Sequence, residues 1–174
     1  MLKILHAADL HLDSAFSGRS QEATARLRPA LQAVPGQIAA LCRAECCDLL
    51  LLAGDVFDGA PSQQSLRELK RTLENLTIPV FITPGNHDFC APMSPWLTED
   101  WPENVHIFTR PLVEAVSIPA LHCRIYGAAF TAMDCDSLLE NFHISGEEKY
   151  HIAVLHGDPM QQHSPYNPIT QAQV

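Results

Sequence analysis

The chain has 174 residues, of which 47% are hydrophobic, and it carries a formal net charge of −9. This composition is ordinary for one globular domain with a sizeable core, and no apolar run approaches the ~20 residues that a transmembrane helix needs. The negative charge argues against extensive contact between this chain alone and nucleic acid, because phosphates attract Lys and Arg.

Four short apolar runs predict buried strands, and each of them ends just before a polar group. They are residues 2–7, 48–53, 79–83 and 151–156. None of them alternates strictly between apolar and polar residues. This pattern is typical of a sheet that is covered on both faces.

Helical patterns separate the first three strands. We predict helices at residues 21–34 and 36–47, with a break at Pro35, and a third helix at residues 62–75 that Ser62 caps. Strands that alternate with helices indicate βαβ units and therefore an α/β sandwich.

The second half of the chain has a different pattern. Residues 105–108, 112–118 and 122–126 predict shorter strands with antiparallel pairing, and residues 134–141 predict one more short helix. Residues 160–174 are polar, contain proline and show no regular pattern, so we expect a loop there.

A polar motif follows each of the four buried strands. The motifs are Asp9-Leu-His11, Gly54-Asp55-Val-Phe-Asp58, Gly85-Asn86-His87-Asp88 and His156-Gly-Asp158. The carboxyl ends of strands in an open α/β sheet form the crevice where ligands bind, so we expect all four motifs to meet at one edge. Asp, His and Asn are suitable ligands for manganese, iron, zinc or magnesium.

Each motif alone has a simpler interpretation as a surface pair or a tight turn. The coincidence of four such motifs, in order and each at a strand end, favours a metal site instead. The isolated histidines are interpreted as core or surface residues; they are His6, His106, His122, His143 and His151. No Cys-x-x-Cys pair is present, so we expect reduced, packed thiols, with a Cys42/Cys46/Cys47 metal site as the alternative.

The order of these motifs resembles the calcineurin-like metallophosphoesterase superfamily. More narrowly, residues 6–16, 52–58 and 83–88 resemble bacterial SbcD-like DNA repair exonucleases, and the resemblance runs from Met1 to about Asn167. It implies a metallophosphoesterase-type α/β sandwich of mixed sheets flanked by helices. It also implies hydrolysis of phosphodiesters with two divalent metal ions, for which manganese is our expectation.

The resemblance also implies a role for six residues of the motifs. Five would bind metal: Asp9 and His11 the first ion, Asn86 and His156 the second, and Asp55 both. His87 would face the leaving group of the substrate without binding metal. Apart from the resemblance, we expect Asp58, three residues after Asp55, to orient the His87 ring, because carboxylates often orient histidines; a loop-capping carboxylate is the alternative.

The sequence departs from the family pattern in one respect. Relatives carry a downstream Gly-His-x-His motif that completes both metal sites, whereas this sequence has no Gly-His pair and ends 18 residues after His156. We therefore interpret residues 1–174 as the N-terminal part of a nuclease domain, with incomplete metal sites and uncertain activity. We also expect an exposed sheet edge, which a homodimer would cover.

The reaction is better defined than the substrate. We expect a cytoplasmic DNA exonuclease or endonuclease that acts in DNA repair, with an SbcC-like ATPase partner that supplies the grip on DNA. Arg67, Lys70 and Arg71 form one small basic cluster, which a solvated helix face explains equally well. A small-nucleotide or other phosphoesterase, and a non-catalytic scaffold of the same fold, remain as alternatives.

Overall fold

The computed structural model describes residues 1–173 of the chain. The strands in this range are β1 (Ile4–Ala7), β2 (Leu49–Ala53), β3 (Val80–Thr83), β4 (Val105–Ile107), β5 (Glu114–Ile118), β6 (Cys123–Gly127) and β7 (Tyr150–Val154). The α-helices are α1 (Gln21–Gln32), α2 (Val34–Ala44), α3 (Gln63–Glu74) and α4 (Pro95–Thr98). Two short 3₁₀ helices lie at Pro119–Leu121 and Gln171–Gln173.

The strands form two sheets, which confirms the predicted α/β sandwich of mixed sheets and helices. The first sheet has the order β1-β2-β3-β4, and all its neighbours are parallel. The second sheet has the order β5-β6-β7, in which β5 is antiparallel to β6 and β6 is parallel to β7. Strand β7 therefore lies at an edge of the second sheet.

The predicted antiparallel pairing is confirmed for β5 with β6 but is wrong for β4. Strand β4 pairs in parallel with β3, because the chain between them passes through α4 and is long enough for a crossover connection. Strand β7, which carries the fourth polar motif, belongs to the second sheet and not to the sheet that carries the other three. The strand ends meet because the two sheets pack against each other.

The two faces of the first sheet explain why its strands are apolar throughout. Leu50 and Leu52 of β2 pack against the helices, whereas Leu49 and Leu51 pack against residues of the second sheet such as Ile125. Successive side chains of a strand point to opposite faces, so a sheet covered on both sides needs apolar residues at every position.

Proline and serine define the helix boundaries near the site. The predicted break between the two helices is present, but it lies at Ala33, two residues before Pro35. Helix α1 ends at Gln32, and Pro35 lies in the first turn of α2, where proline is well tolerated. The Ser62 hydroxyl accepts a hydrogen bond from the Ser65 amide and caps α3. The Asp13 carboxylate also accepts hydrogen bonds from the Ser62 amide and the Ser65 hydroxyl, which attaches the loop after β1 to α3.

The helix predicted at residues 134–141 is wrong. Cys135 instead forms an isolated bridge with Tyr166, and the Leu138 amide donates a hydrogen bond to Asn167 Oδ1. The backbone groups of this segment are thus satisfied by the C-terminal loop, and no helix is needed to pair them.

Within residues 1–173, no helix has both the length and the apolar character that crossing a membrane requires.

The core on the helix side of the first sheet gives a stability prediction. Replacing the fully buried Leu50 with alanine should lower the free energy of unfolding by about 2–5 kcal/mol, because a cavity is left in addition to the lost burial. Leu41→Ala is the matched control, because the Leu41 side chain is 50% exposed, and it should change stability by less than about 0.5 kcal/mol. Urea unfolding of both variants would measure the difference, and equal losses would contradict the described packing.

Candidate metal centre at the strand ends

The loops after β1 and β2 run side by side and continue the pairing of their strands. The Asp9 amide donates a hydrogen bond to the Gly54 carbonyl at 3.1 Å, and the His11 amide donates one to the Asp55 carbonyl at 2.9 Å. Asp9, His11 and Asp55 all have positive φ, near 50°. This conformation is uncommon for residues other than glycine, although Asp and His adopt it more readily than most, and it clusters at functional sites.

The buried carboxylate of Asp88 ties the loop after β3 to the loop after β2. Its Oδ2 accepts hydrogen bonds from the amides of Val56 and Phe57, and its Oδ1 accepts one from the Gly85 amide. Burial, together with the nearby charge of Asp55, raises the pKa of Asp88 to about 6 despite these three donors. Asp88 belongs to the third polar motif, but the sequence did not indicate that its carboxylate would connect these two loops.

Asp55 lies at the centre of the predicted site residues and is only 3% exposed. Its Oδ2 is 3.7 Å from His11 Nε2 and 3.5 Å from His156 Nε2, and its Oδ1 accepts a hydrogen bond from the His87 amide. This carboxylate belongs to two groups of potential ligands. Within each group, the ligand atoms all lie within 4.8 Å of one another. The groups are His11, Asp55 and His87, and Asp9, Asp55 and His156.

His156 reaches this centre from the second sheet. Its Nδ1 lies 3.2 Å from the Ala53 carbonyl oxygen, and its Nε2 lies 3.0 Å from Asn86 Oδ1. A neutral imidazole carries one N–H, so if Nδ1 donates to Ala53, the lone pair of Nε2 faces the oxygens of Asn86 and Asp55. Three electron-pair donors then converge without a proton between them, which is the environment that a cation stabilises.

His87 and Asp58 form a pair beside His11. His87 Nδ1 lies 2.9 Å from Asp58 Oδ1, and the His11 and His87 rings meet edge to face at 4.8 Å between their centroids. Partial burial acts to raise the pKa of Asp58, but hydrogen bonds from Ser14 and His87 and the nearby imidazoles lower it below its ordinary value. The Asp58 carboxylate is therefore ionised and holds the His87 ring through Nδ1.

An open cavity of about 490 Å³ lies over these residues. Of the seven predicted site residues, Asp9, Asp55, Asn86, His87 and His156 line it. His11 and Asp58 do not line it but adjoin His87. Other residues of the wall are His6, Leu155, Asp158 and Tyr166, which the sequence did not single out as site residues.

Asn167 is a residue of the site's support that the sequence did not reveal. It is fully buried, its Nδ2 donates a hydrogen bond to the His156 carbonyl at 2.7 Å, and its Oδ1 accepts one from the Leu138 amide. It thereby fixes the loop that carries His156. It lies in a segment without a regular pattern, so only these long-range contacts identify it.

Comparison with known proteins defines the class of this site. Residues 2–168 match the family model described as calcineurin-like phosphoesterase, and the chain belongs to that family. This confirms the resemblance that the motifs indicated. Enzymes of this family hydrolyse phosphoesters with divalent metals, and the donor groups around Asp55 are chemically suited to such ions.

Three curated relatives are similar to this chain. The protein named "Uncharacterized metallophosphoesterase YhaO" from Bacillus subtilis (strain 168) is 35% identical over 185 residues, which cover 97% of this chain and 44% of that protein. The SbcD component of the SbcCD nuclease from Rhodobacter capsulatus is 38% identical over 50% of this chain and 22% of its own length. The corresponding SbcD protein from Staphylococcus epidermidis is 28% identical over 68% of this chain and 31% of its own length. The chain thus spans less than half the length of these relatives.

Gly54 gives a test of how His156 is held. A Cβ at this position would overlap the His156 ring, and the φ of +81° is unfavourable for alanine. Gly54→Ala should therefore displace the imidazole and lower the affinity for a divalent metal ion by about 10–100-fold, as loss of a supporting contact typically does. Isothermal titration calorimetry would measure this affinity.

Gly18→Ala is the matched control for Gly54→Ala. Gly18 has a φ of +80°, and no atom lies within 4 Å of the position of its missing Cβ. Both variants carry the same backbone strain, so both should lose stability, but only Gly54→Ala should lose metal affinity. An equal effect of the two variants on metal binding would show that contact with His156 is unimportant.

Proposed function

We propose that the chain hydrolyses phosphodiester bonds of DNA with two divalent metal ions, as an exonuclease or endonuclease of the SbcD-like type that acts in DNA repair. One observation carries the proposal, namely that two groups of His and Asp ligands share the carboxylate of Asp55. Two neighbouring cations that share one carboxylate are the arrangement used for in-line displacement at phosphorus.

The ligand assignment follows the donors around Asp55. We assign Asn86 and His156 to one ion, because their donor atoms lie 3.0 Å apart and His156 Nε2 also lies 3.5 Å from Asp55 Oδ2. We assign Asp9 and His11 to the other ion on the strength of the family resemblance, with Asp55 shared between the two. In the structure the Asp9 carboxylate lies nearer His156, and His11 lies nearer His87. Hard oxygen and borderline imidazole donors suit manganese, which is the proposed ion, and also iron, zinc or magnesium.

Metal ions bound in this cluster would polarise the phosphate and activate a water molecule. The protein itself positions an acid for the leaving group. Asp58 holds His87 through Nδ1, so Nε2 is the nitrogen that can donate a proton to the departing oxygen. The His87 side chain is 44% exposed and lines the cavity, which keeps that nitrogen within reach of a substrate.

The proposal of DNA as substrate rests on two kinds of support. Relatives named as nuclease components align with this chain, and the sequence resembles them between the ligands. The net charge of −9 gives little general attraction to DNA, so we propose an SbcC-like ATPase partner that supplies it, in the cytoplasm. The edge strand β7 is where we propose that a homodimer would form.

A second candidate is hydrolysis of a small phosphoester. The relative that aligns with 97% of this chain is named only a metallophosphoesterase, and the same ligands would serve a nucleotide or another small substrate. A scaffold without catalysis is the third candidate. It would keep the fold and bind metal weakly.

The shared role of Asp55 predicts an unequal effect of ligand substitutions. Asp55→Asn should weaken the binding of both manganese ions, because the carboxylate lies in both ligand groups, whereas His156→Gln should weaken only one. The affinity for each affected ion should fall by more than roughly tenfold, which is the typical effect of removing a contact outside the ligand shell. Manganese titration by calorimetry would count the sites, and loss of a single ion in Asp55→Asn would contradict the bridging role.

The acid role of His87 predicts a dependence on the leaving group. His87→Ala should slow cleavage of DNA by about 10²–10⁴-fold, because its alkoxide leaving group needs a proton. Cleavage of bis(p-nitrophenyl) phosphate, whose leaving group needs no proton, should fall much less. Manganese affinity should stay close to that of the unsubstituted chain.

The outcomes of this comparison separate the candidate functions. Equal losses on both substrates would remove His87 from the leaving-group role. Cleavage of the aryl phosphodiester without cleavage of DNA, with manganese and the ATPase partner present, would favour the small-substrate candidate. Cleavage of neither substrate would favour the scaffold.

A further inference from the structure

An open groove of about 360 Å³ runs along one face of α1, away from the metal centre's own cavity. Arg19 and Arg28 line it together with polar side chains, and no carboxylate does; the other lining residues are Gln21, Thr24, Ala25, Pro29 and Gln32. None of the residues of α1 is buried, so this face serves little in packing.

The charges of this segment differ from those of the rest of the protein. Residues 14–33 contain three of the eleven basic residues and one of the twenty acidic residues, so they carry +2 while the remainder carries −11. Within residues 1–173, the Lys and Arg ion pairs involve Lys70, Arg110 and Arg124. The guanidinium groups of Arg19 and Arg28 are therefore available to an anion from outside.

The groove lies close to the metal centre along the chain. Ser14 lies beside Asp58, which holds His87, and Arg19 follows Ser14 by five residues. Five residues span at most ~18 Å, and the turn in which the Arg19 amide donates to the Phe16 carbonyl shortens this distance. The Arg19 backbone therefore lies within ~18 Å of Ser14, a span comparable to about five nucleotides of a DNA strand that rises ~3.4 Å per nucleotide.

We propose that this arginine face of α1 binds the phosphate backbone of the DNA strand that leaves the metal centre. Guanidinium groups bind phosphates in a bidentate manner, and the Gln and Thr side chains of the groove are suitable donors to phosphate oxygens. The proposal rests on the proposed function, because it needs a substrate that extends beyond one phosphodiester. It gives the acidic chain a local site for a polyanion, with no requirement for base contacts.

The test compares two double variants of the full chain with equal changes of charge. Arg19→Ala/Arg28→Ala removes the two groove arginines, and Arg43→Ala/Lys149→Ala removes two exposed cations at the opposite ends of the strands. Binding of a fluorescent DNA oligonucleotide, several times longer than the span to Arg19, is measured by anisotropy with manganese chelated. Salt is varied between about 50 and 200 mM.

Arg19→Ala/Arg28→Ala should bind this DNA more weakly than either the unsubstituted chain or the control variant Arg43→Ala/Lys149→Ala. Its slope of log K against log salt should be shallower by about 1.4–1.8, since each lost phosphate contact removes roughly 0.7–0.9. Turnover of bis(p-nitrophenyl) phosphate with manganese should be unchanged, because this substrate is too short to reach α1. Thermal unfolding should also be unchanged, because neither arginine is buried.

Three results would overturn the proposal: equal weakening by both double variants, no measurable DNA binding by the unsubstituted chain at low salt, or displacement of the DNA by polyglutamate at equal charge. The last result would assign the face to an acidic protein. Failure of the proposed function has a different readout, because it would abolish metal-dependent cleavage while leaving the comparison of DNA affinities intact.

Discussion

The buried carboxylate of Asp88 holds the loops of the metal centre in register with each other. A carboxylate removed from water is costly, and here three backbone amides from two loops offset that cost. Asp55 immediately precedes the first of the amides on its loop, and His87 immediately precedes Asp88 itself. The position of one buried side chain therefore fixes two of the groups that face the cavity.

The packing of two sheets supplies what the first sheet lacks. Three polar motifs follow its parallel strands, but the imidazole of His156 arrives from β7 in the second sheet. Apolar residues between the sheets, including Phe81 and Val154, set the separation at which His156 reaches Ala53 and Asn86. The geometry of the candidate metal site thus depends on the integrity of the core between the two sheets.

Electrostatics explains why the site favours cations. Asp9, Asp55, Asp58 and Asp88 lie in adjoining loops. The side chains that pair with Asp55 and Asp58 at 3.7 Å or closer are the imidazoles of His11, His87 and His156, and among the described residues no Lys or Arg pairs with either carboxylate. Mutual repulsion among such carboxylates is already visible in the contribution of Asp55 to the raised pKa of Asp88. A divalent ion bound at this place would relieve the repulsion.

The residues that meet at the candidate site could be predicted from the amino-acid sequence, because each motif is local and directly follows an apolar strand. The motifs predicted the residues around Asp55 and the orienting contact between Asp58 and His87, which the structure places 2.9 Å apart. Three other features became apparent only in the folded chain: β4 is parallel, β7 lies in a second sheet, and Asn167 supports His156. These features depend on pairing between residues far apart in the chain, and periodicity along the sequence carries no information about which distant strand or loop satisfies a given backbone group.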